Sequence, residues 1–176
     1  DTDTLSFPSG YPSDVVGAEF VEIYKQHVFV SKGSKLSFSA PYDETDFTAA
    51  SGAGTIDVGQ TITGLKVFRD QLFIFSRNTI QRLVGNSVAD FQLVPVTKDI
   101  GCISGATIQE VGGDIMFLAP DGLRLLSATD RIGDFNIGLP SQLIEEDVLD
   151  LISNYNTFTS LVIRNKAQYR IFGYRA

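Results

Sequence analysis

Phenylalanine stands at Phe29, Phe73 and Phe117, at successive intervals of 44 residues. The dipeptide Asp-Phe keeps the same interval at Asp46-Phe47, Asp90-Phe91 and Asp134-Phe135. Ile23, Val67 and Val111 form an aliphatic row in that register. Val28, Leu72 and Met116 form a second row, and Val30, Ile74 and Leu118 a third. A period of this length describes a unit that cannot bury its apolar face alone and must stack on its neighbours.

Inside each unit the pattern is short strands joined by tight turns. The first unit, 15–58, is expected to hold strands at 20–24, 27–31 and 36–38, with an outer strand near 55–58. The second, 59–102, holds strands at 65–68, 72–75, 79–84 and 91–96. The third, 103–139, holds strands at 107–111, 115–118, 123–127 and 134–137. The first turns align as residues 25–26, 69–70 and 113–114, and Asn78 and Gly122 are expected to supply positive φ in the second turns. Residues 1–14 read as an N-terminal arm in which Leu5 and Phe7 alternate with polar residues.

The character changes after Pro140. Ser141 is suited to cap a helix, and Glu145, Glu146 and Asp147 favour its first half. Leu143, Ile144, Val148, Leu151 and Ile152 share one helical face. A helical insertion at 140–156 therefore precedes a fourth unit, 157–176, with strands at 161–163 and 168–172. The insertion explains why Tyr169 follows Phe117 by 52 residues instead of 44. This acidic helix reads either as a cap over a sheet edge or as a contact surface for a neighbouring subunit.

Leu72-Phe73-Ile74-Phe75 is apolar on consecutive positions, so both faces of its strand must be covered. The expected class is all-β: a partial β-propeller of four-stranded antiparallel blades with one inserted short helix at about 140–152. A β-sandwich is the runner-up and does not demand so strict a period. A propeller ring takes about four to eight blades, and three and a half do not close one. The chain also opens on Asp1, not Met. The expectation is one incomplete domain over 1–176, part of a longer gene product.

Composition narrows the chemistry. Apolar residues make up 43 % of the 176, as in a globular domain. No apolar run reaches the roughly 18 to 20 residues of a membrane span, and no leader pattern is visible. A net charge of −7 argues against stable binding to a nucleic-acid backbone, while a weakly repelling wall would suit DNA that slides past. His27 and Cys102 are each the sole residue of their kind, too few for an ordinary zinc site or a Ser-His-Asp or Cys-His arrangement. Phosphate-loop, nucleophile-elbow and zinc-protease motifs are absent, and so is Trp, which counts against the Trp-marked WD repeat and the Trp-bearing aspartate box of glycosidase propellers. The double glycine Gly112-Gly113 resembles that of kelch blades but occurs once.

No catalytic, cofactor-binding or metal residues are therefore assigned, and the chain is expected not to be an enzyme. Asp46, Asp90 and Asp134 read as turn carboxylates that accept backbone N–H groups just before an outer strand. A ring of catalytic or metal-binding carboxylates is the alternative. Asp43, Glu44 and Asp46 together would be a calcium candidate, though their spacing departs from the EF-hand pattern. Tyr11, Tyr42 and Tyr155 are the loop aromatics that a carbohydrate- or protein-binding propeller module would use.

The stretch from Gly64 to Phe75, then Ile80-Gln81-Arg82-Leu83, Asp99-Ile100-Gly101-Cys102 and Ala119-Pro120-Asp121-Gly122-Leu123-Arg124, resembles the β-propeller part of phage tail proteins. The likeness covers about residues 15–140 and is to the tail nozzle (tail tubular protein B) family of short-tailed bacteriophages, whose chains are much longer. The resemblance implies a virion structural protein of the tail, made in the host cytoplasm. It implies copies of the chain in a ring, taken as a hexamer, with tail adaptor and tail fibre proteins as partners and viral DNA passing through. The family brings no catalytic residues and no cofactor.

Overall fold

The computed structural model describes residues 15–127, 144–166 and 168–175. Among these the chain is mostly strand, arranged as four antiparallel sheets in chain order with one α-helix. The first sheet is β1 (Phe20–Tyr24), β2 (His27–Lys32), β3 (Lys35–Phe38) and β4 (Gly54–Asp57), in that spatial order. The second repeats the order with β5 (Ile62–Phe68), β6 (Gln71–Ser76), β7 (Ile80–Val84) and β8 (Gln92–Thr97). The third holds β9 (Gln109–Val111), β10 (Asp114–Ala119) and β11 (Gly122–Leu125). The fourth pairs β12 (Thr157–Ile163) with β13 (Gln168–Tyr174). The N-terminal arm, with Leu5, Phe7 and Tyr11, and the expected strand at 134–137 lie outside the described residues.

The first hairpin of each of the first three sheets closes through two residues in the left-handed region. These are Lys25 (φ 45°) and Gln26 (63°), Arg69 (48°) and Asp70 (58°), and Gly112 (60°) and Gly113 (80°). Positive φ at both central positions matches the right-handed twist of the flanking strands. Glycine adopts it without strain, and the four non-glycine residues do so at a cost.

The turns also correct the period. Tyr24↔His27 and Phe68↔Gln71 flank the first two turns, 44 residues apart, but the third is flanked by Val111↔Asp114, 43 residues further on. The second hairpins agree. Lys32↔Lys35 flank one, the Ser76 N–H bonds to the Thr79 carbonyl across the next, and Ala119↔Gly122 flank the third. The third turn of each set is thus one residue earlier than the sequence spacing suggests: residues 112–113 and 120–121. Phe117 corresponds to Ile74, and Met116 takes the place of Phe29 and Phe73. Gly122 does have positive φ (134°), just after its turn, whereas Asn78 does not.

Each sheet packs on the next. Phe29, Leu36 and Phe38 of the first sheet bury themselves against Leu65, Leu72, Ile74 and Leu83 of the second. The opposite face of the second sheet, with Phe73, Phe75 and Ile80, meets Ile115, Phe117 and Ala119 of the third. Leu118 and Leu123, on the far side of the third sheet, meet Phe158, Tyr169 and Ile171 of the fourth. Phe29 and Phe73 therefore face the following sheet and Phe117 the preceding one. Burial of both faces is what an unbroken apolar strand requires.

The helix α1 spans Glu145–Asn154 and starts later than the sequence suggests. Its N-cap is Ile144, whose side chain is half exposed and makes no cap bond, while Ser141 and Leu143 lie outside the described residues. Val148, Leu151 and Ile152 pack on Leu118, Leu123 and Phe158, so the helix covers the seam between the third and fourth sheets. Two local elements also differ. A 3-10 turn at Gly105–Thr107 occupies the start of the strand expected at 107–111. Phe47 leads into a 3-10 turn at Ala49–Ser51, and the outer strand begins only at Gly54. In the fourth unit β12 begins at Thr157, four residues before its expected start at 161.

Candidate functional site

The first and second sheets approach along β1 and β5, the second meets the third through β5 and the Gly105–Thr107 turn, and the third and fourth approach along β9 and β12. Glycine permits the closest approach. A Cβ on Gly64 would lie 2.4 Å from Ile108 Cδ1 and 2.9 Å from the Gly105 Cα, and one on Gly105 would lie 2.4 Å from the Thr63 carbonyl oxygen. Polar groups tie the same seam. Thr63 Oγ1 donates to the Cys102 carbonyl (2.7 Å), Ser160 Oγ to the Ala106 carbonyl (3.0 Å) and Ser104 Oγ to the Phe158 carbonyl (3.1 Å).

The first turns are linked in the same manner at one rim. Lys25 Nζ lies 2.6 Å from Asp70 Oδ2, and Arg69 Nη2 donates to the Gly113 carbonyl at 2.6 Å. The Asp70 hydrogen bond is the main reason the Lys25 ammonium is held above its usual range. One row of turns thus connects three sheets through side chains that differ from copy to copy.

Cys102 is buried where the third sheet begins. Its thiol donates to the Ser104 carbonyl (3.1 Å), and burial pushes its pKa up to about 11. Thr107 Oγ1 donates to the same carbonyl (2.6 Å) and accepts the Leu118 N–H (3.1 Å). Thiolate formation is disfavoured here, and thiolate is the nucleophilic form. His27, also buried, donates from Nδ1 to the Ser39 carbonyl (2.6 Å) among the rings of Phe29, Phe38 and Phe91.

Asp46 and Asp90 serve their own loops. Asp90 Oδ1 accepts the N–H of Ser87 (2.7 Å) and of Asn86 (3.1 Å), and these bonds hold its carboxyl below the usual range. Asp46 Oδ1 accepts the Thr48 N–H (2.7 Å), and Asp134 lies outside the described residues. Asp43 accepts from both the hydroxyl and the N–H of Thr45. No group of three or more His, Cys, Asp or Glu side chains converges as a metal site among the described residues, so Asp43, Glu44 and Asp46 do not form one. Tyr42 is well exposed beside the first sheet, and Tyr155 packs over Gly173 of the fourth; the two belong to different sheets.

A cleft of about 240 Å³ opens between the second and third sheets. Arg69, Gln71, Arg82 and Asp114 line it, with Phe68, Phe73 and Leu126 as apolar wall. Arg82 donates to Gln71 Oε1 (3.3 Å), and its Nε is buried without a partner among the described residues. Gln71 and Arg82 take the places of His27 and Phe38 in the first sheet. There Phe91 fills the corresponding space, with rings 5.5 to 5.8 Å apart. The third member of that row, Phe135, lies outside the described residues. Sequence reasoning missed Arg82, although its signal was present as a charged residue in an aromatic column of the repeat. It also missed Arg124, nearly fully buried and paired with Asp121.

No family model and no curated protein matches the chain. No helix among the described residues is long and apolar enough to cross a membrane.

Proposed function

We propose that the chain is a scaffold: part of a β-propeller in a nozzle-like ring of a phage tail, forming a stretch of the DNA ejection conduit. The observation that carries the propeller is the approach of successive sheets at their first strands, or in the third sheet at the turn that leads into its first strand. Sheets that touch along one edge and are held apart by larger side chains elsewhere fan around an axis. The tail role rests on the sequence resemblance in residues 15–140. In this reading the tail adaptor and tail fibre proteins are the partners, the chain recurs as a hexamer, and it catalyses nothing.

The inert character has physical support. The thiol is held protonated, the imidazole is committed to a backbone carbonyl, and Asp46 and Asp90 are spent on their own loops. A net charge of −7 disfavours adhesion of DNA to the wall.

Gold-labelled antibody against this chain, applied to phage particles, tests the reading by electron microscopy. Label at the tip of the tail is expected. Particles that carry the antigen nowhere, or only in the head, would overturn it. Binding of the isolated chain on a glycan array, abolished by Tyr42→Ala, would instead favour a carbohydrate-binding module.

A further inference from the structure

We propose that the cleft between the second and third sheets binds a small organic acid: one carboxylate, held side-on by Arg82, on an apolar body that lies against Phe68, Phe73 and Leu126. The repeat shows what this place has lost. Gln71 and Arg82 stand 44 residues after His27 and Phe38. Arg82 lies opposite Phe73 in its sheet as Phe38 lies opposite Phe29. In the first interface the rings of His27, Phe29 and Phe38 close on Phe91, with centroids 5.5 to 5.8 Å away. In the second, Gln71 and Arg82 replace two of those three rings with groups that donate hydrogen bonds. The partner that suits them is an acceptor, not a ring.

Arg82 fixes the charge of that acceptor. Its Nη1 donates to Gln71 Oε1 (3.3 Å). Its Nε is buried without a partner, and no carboxylate pairs with its guanidinium among the described residues. Nε and Nη2 together present two parallel N–H groups, the arrangement that a carboxylate takes bidentately. A buried cation left unpaired is destabilising, and a carboxylate on that edge removes the penalty.

The rest of the cleft sets net charge and size. Arg69 stands at the mouth, with Nη2 on the Gly113 carbonyl (2.6 Å) and its guanidinium 4.9 Å from the centre of the Phe68 ring. Asp114 is the only acidic side chain in the lining among the described residues, and it is committed. It accepts the Ile115 N–H (2.8 Å), the Ser127 N–H (3.2 Å) and the Ser127 hydroxyl. Two guanidiniums against one carboxylate leave a single positive charge in excess, which suits a monoanion better than a phosphate dianion. A volume of about 240 Å³ is below the roughly 300 to 1,000 Å³ of drug-sized pockets, so the ligand is small. This site is independent of the tail role: it follows from the lining alone.

Isothermal titration calorimetry of the 176-residue chain with butyrate and with phenylacetate tests it. Both acids are expected to bind. Butyramide, which keeps the shape and lacks the charge, should bind at least about tenfold more weakly. Arg82→Gln should weaken butyrate about tenfold or more, and Arg82→Lys nearly as much, because an ammonium lacks the fork. Arg82→Phe restores the ring of the first interface; it should stay folded by circular dichroism and bind neither acid. In NMR spectra of the arginine side chains, butyrate should shift the Arg82 Nε–H resonance. The proposal is overturned if neither acid binds, if butyramide binds equally, or if Arg82→Gln and Arg82→Phe bind as the wild type does. Tighter binding of inorganic phosphate than of both acids would also overturn it. So would binding that appears only after Asp134→Asn, because the chain's own carboxylate would then be the partner of Arg82.

Discussion

Thr107 shows how one hydroxyl fixes the entry into a sheet. It accepts the Leu118 N–H and donates to the Ser104 carbonyl, so both partners are satisfied away from water. Thr107→Val keeps the shape and leaves a buried N–H without an acceptor. The expected loss is about 1 to 3 kcal/mol of unfolding free energy, read by urea denaturation. Tyr169 adds a pH dependence. Its hydroxyl donates to the Thr107 carbonyl (2.9 Å), and burial pushes its pKa from 10.0 up to about 12. A folded-state pKa above the unfolded one gives stability that is full below pH 10 and is lost as pH rises towards 12. At roughly 1.4 kcal/mol per pKa unit the loss approaches about 3 kcal/mol. Cys102 acts in the same direction, between its ordinary 9.0 and about 11. Tyr169→Phe should flatten the stability profile above pH 10, measured by denaturant melts at stepped pH.

Among the elements, the hairpin turns are the most open to improvement. Gln26 is exposed, holds φ at 63° and uses only its backbone carbonyl, which accepts the Tyr42 N–H. Gln26→Gly should raise stability by about 0.5 to 1 kcal/mol, since glycine enters the left-handed region freely. The opposite outcome is expected at the seam between strands. Gly105→Ala places a methyl group 2.4 Å from the Thr63 carbonyl oxygen and must push two backbones apart. A drop of several degrees in the melting temperature is the expected result, consistent with the roughly 1 to 3 kcal/mol cost of overpacking.

The strands of the first two sheets were legible in the sequence to within a residue or two at most ends, because alternation and turn residues mark them locally. The one-residue slip in the third sheet was not. Strand β10 is buried on both faces, so moving Ile115-Met116-Phe117-Leu118 by one place sets an apolar residue on an apolar residue. A half-exposed strand would have betrayed the slip by turning polar residues inward. The α-helix itself starts later than the sequence suggests. Ser141 satisfied the capping pattern and lies outside the described residues, while the α-helix runs from Glu145 with Ile144 at its N-cap, and Val148, Leu151 and Ile152 face the third and fourth sheets. The Arg69–Arg82 cleft was illegible as a place, since it is made where two sheets meet, although Arg82 itself broke a column of the repeat.

At the scale of the whole molecule, every apolar cluster among the described residues joins sheets that are neighbours in the chain. The second sheet alone has a four-stranded or three-stranded neighbour on each side, and in β6 Leu72, Ile74 and Phe75 have no solvent exposure. Amide protons report this directly. In deuterium oxide those of β6 should persist longest, and exchange only when the molecule opens globally. Those of β13, at the margin of a two-stranded sheet, should be replaced through local fraying. Strand β6 is therefore the natural place for a spectroscopic label that must outlast partial opening.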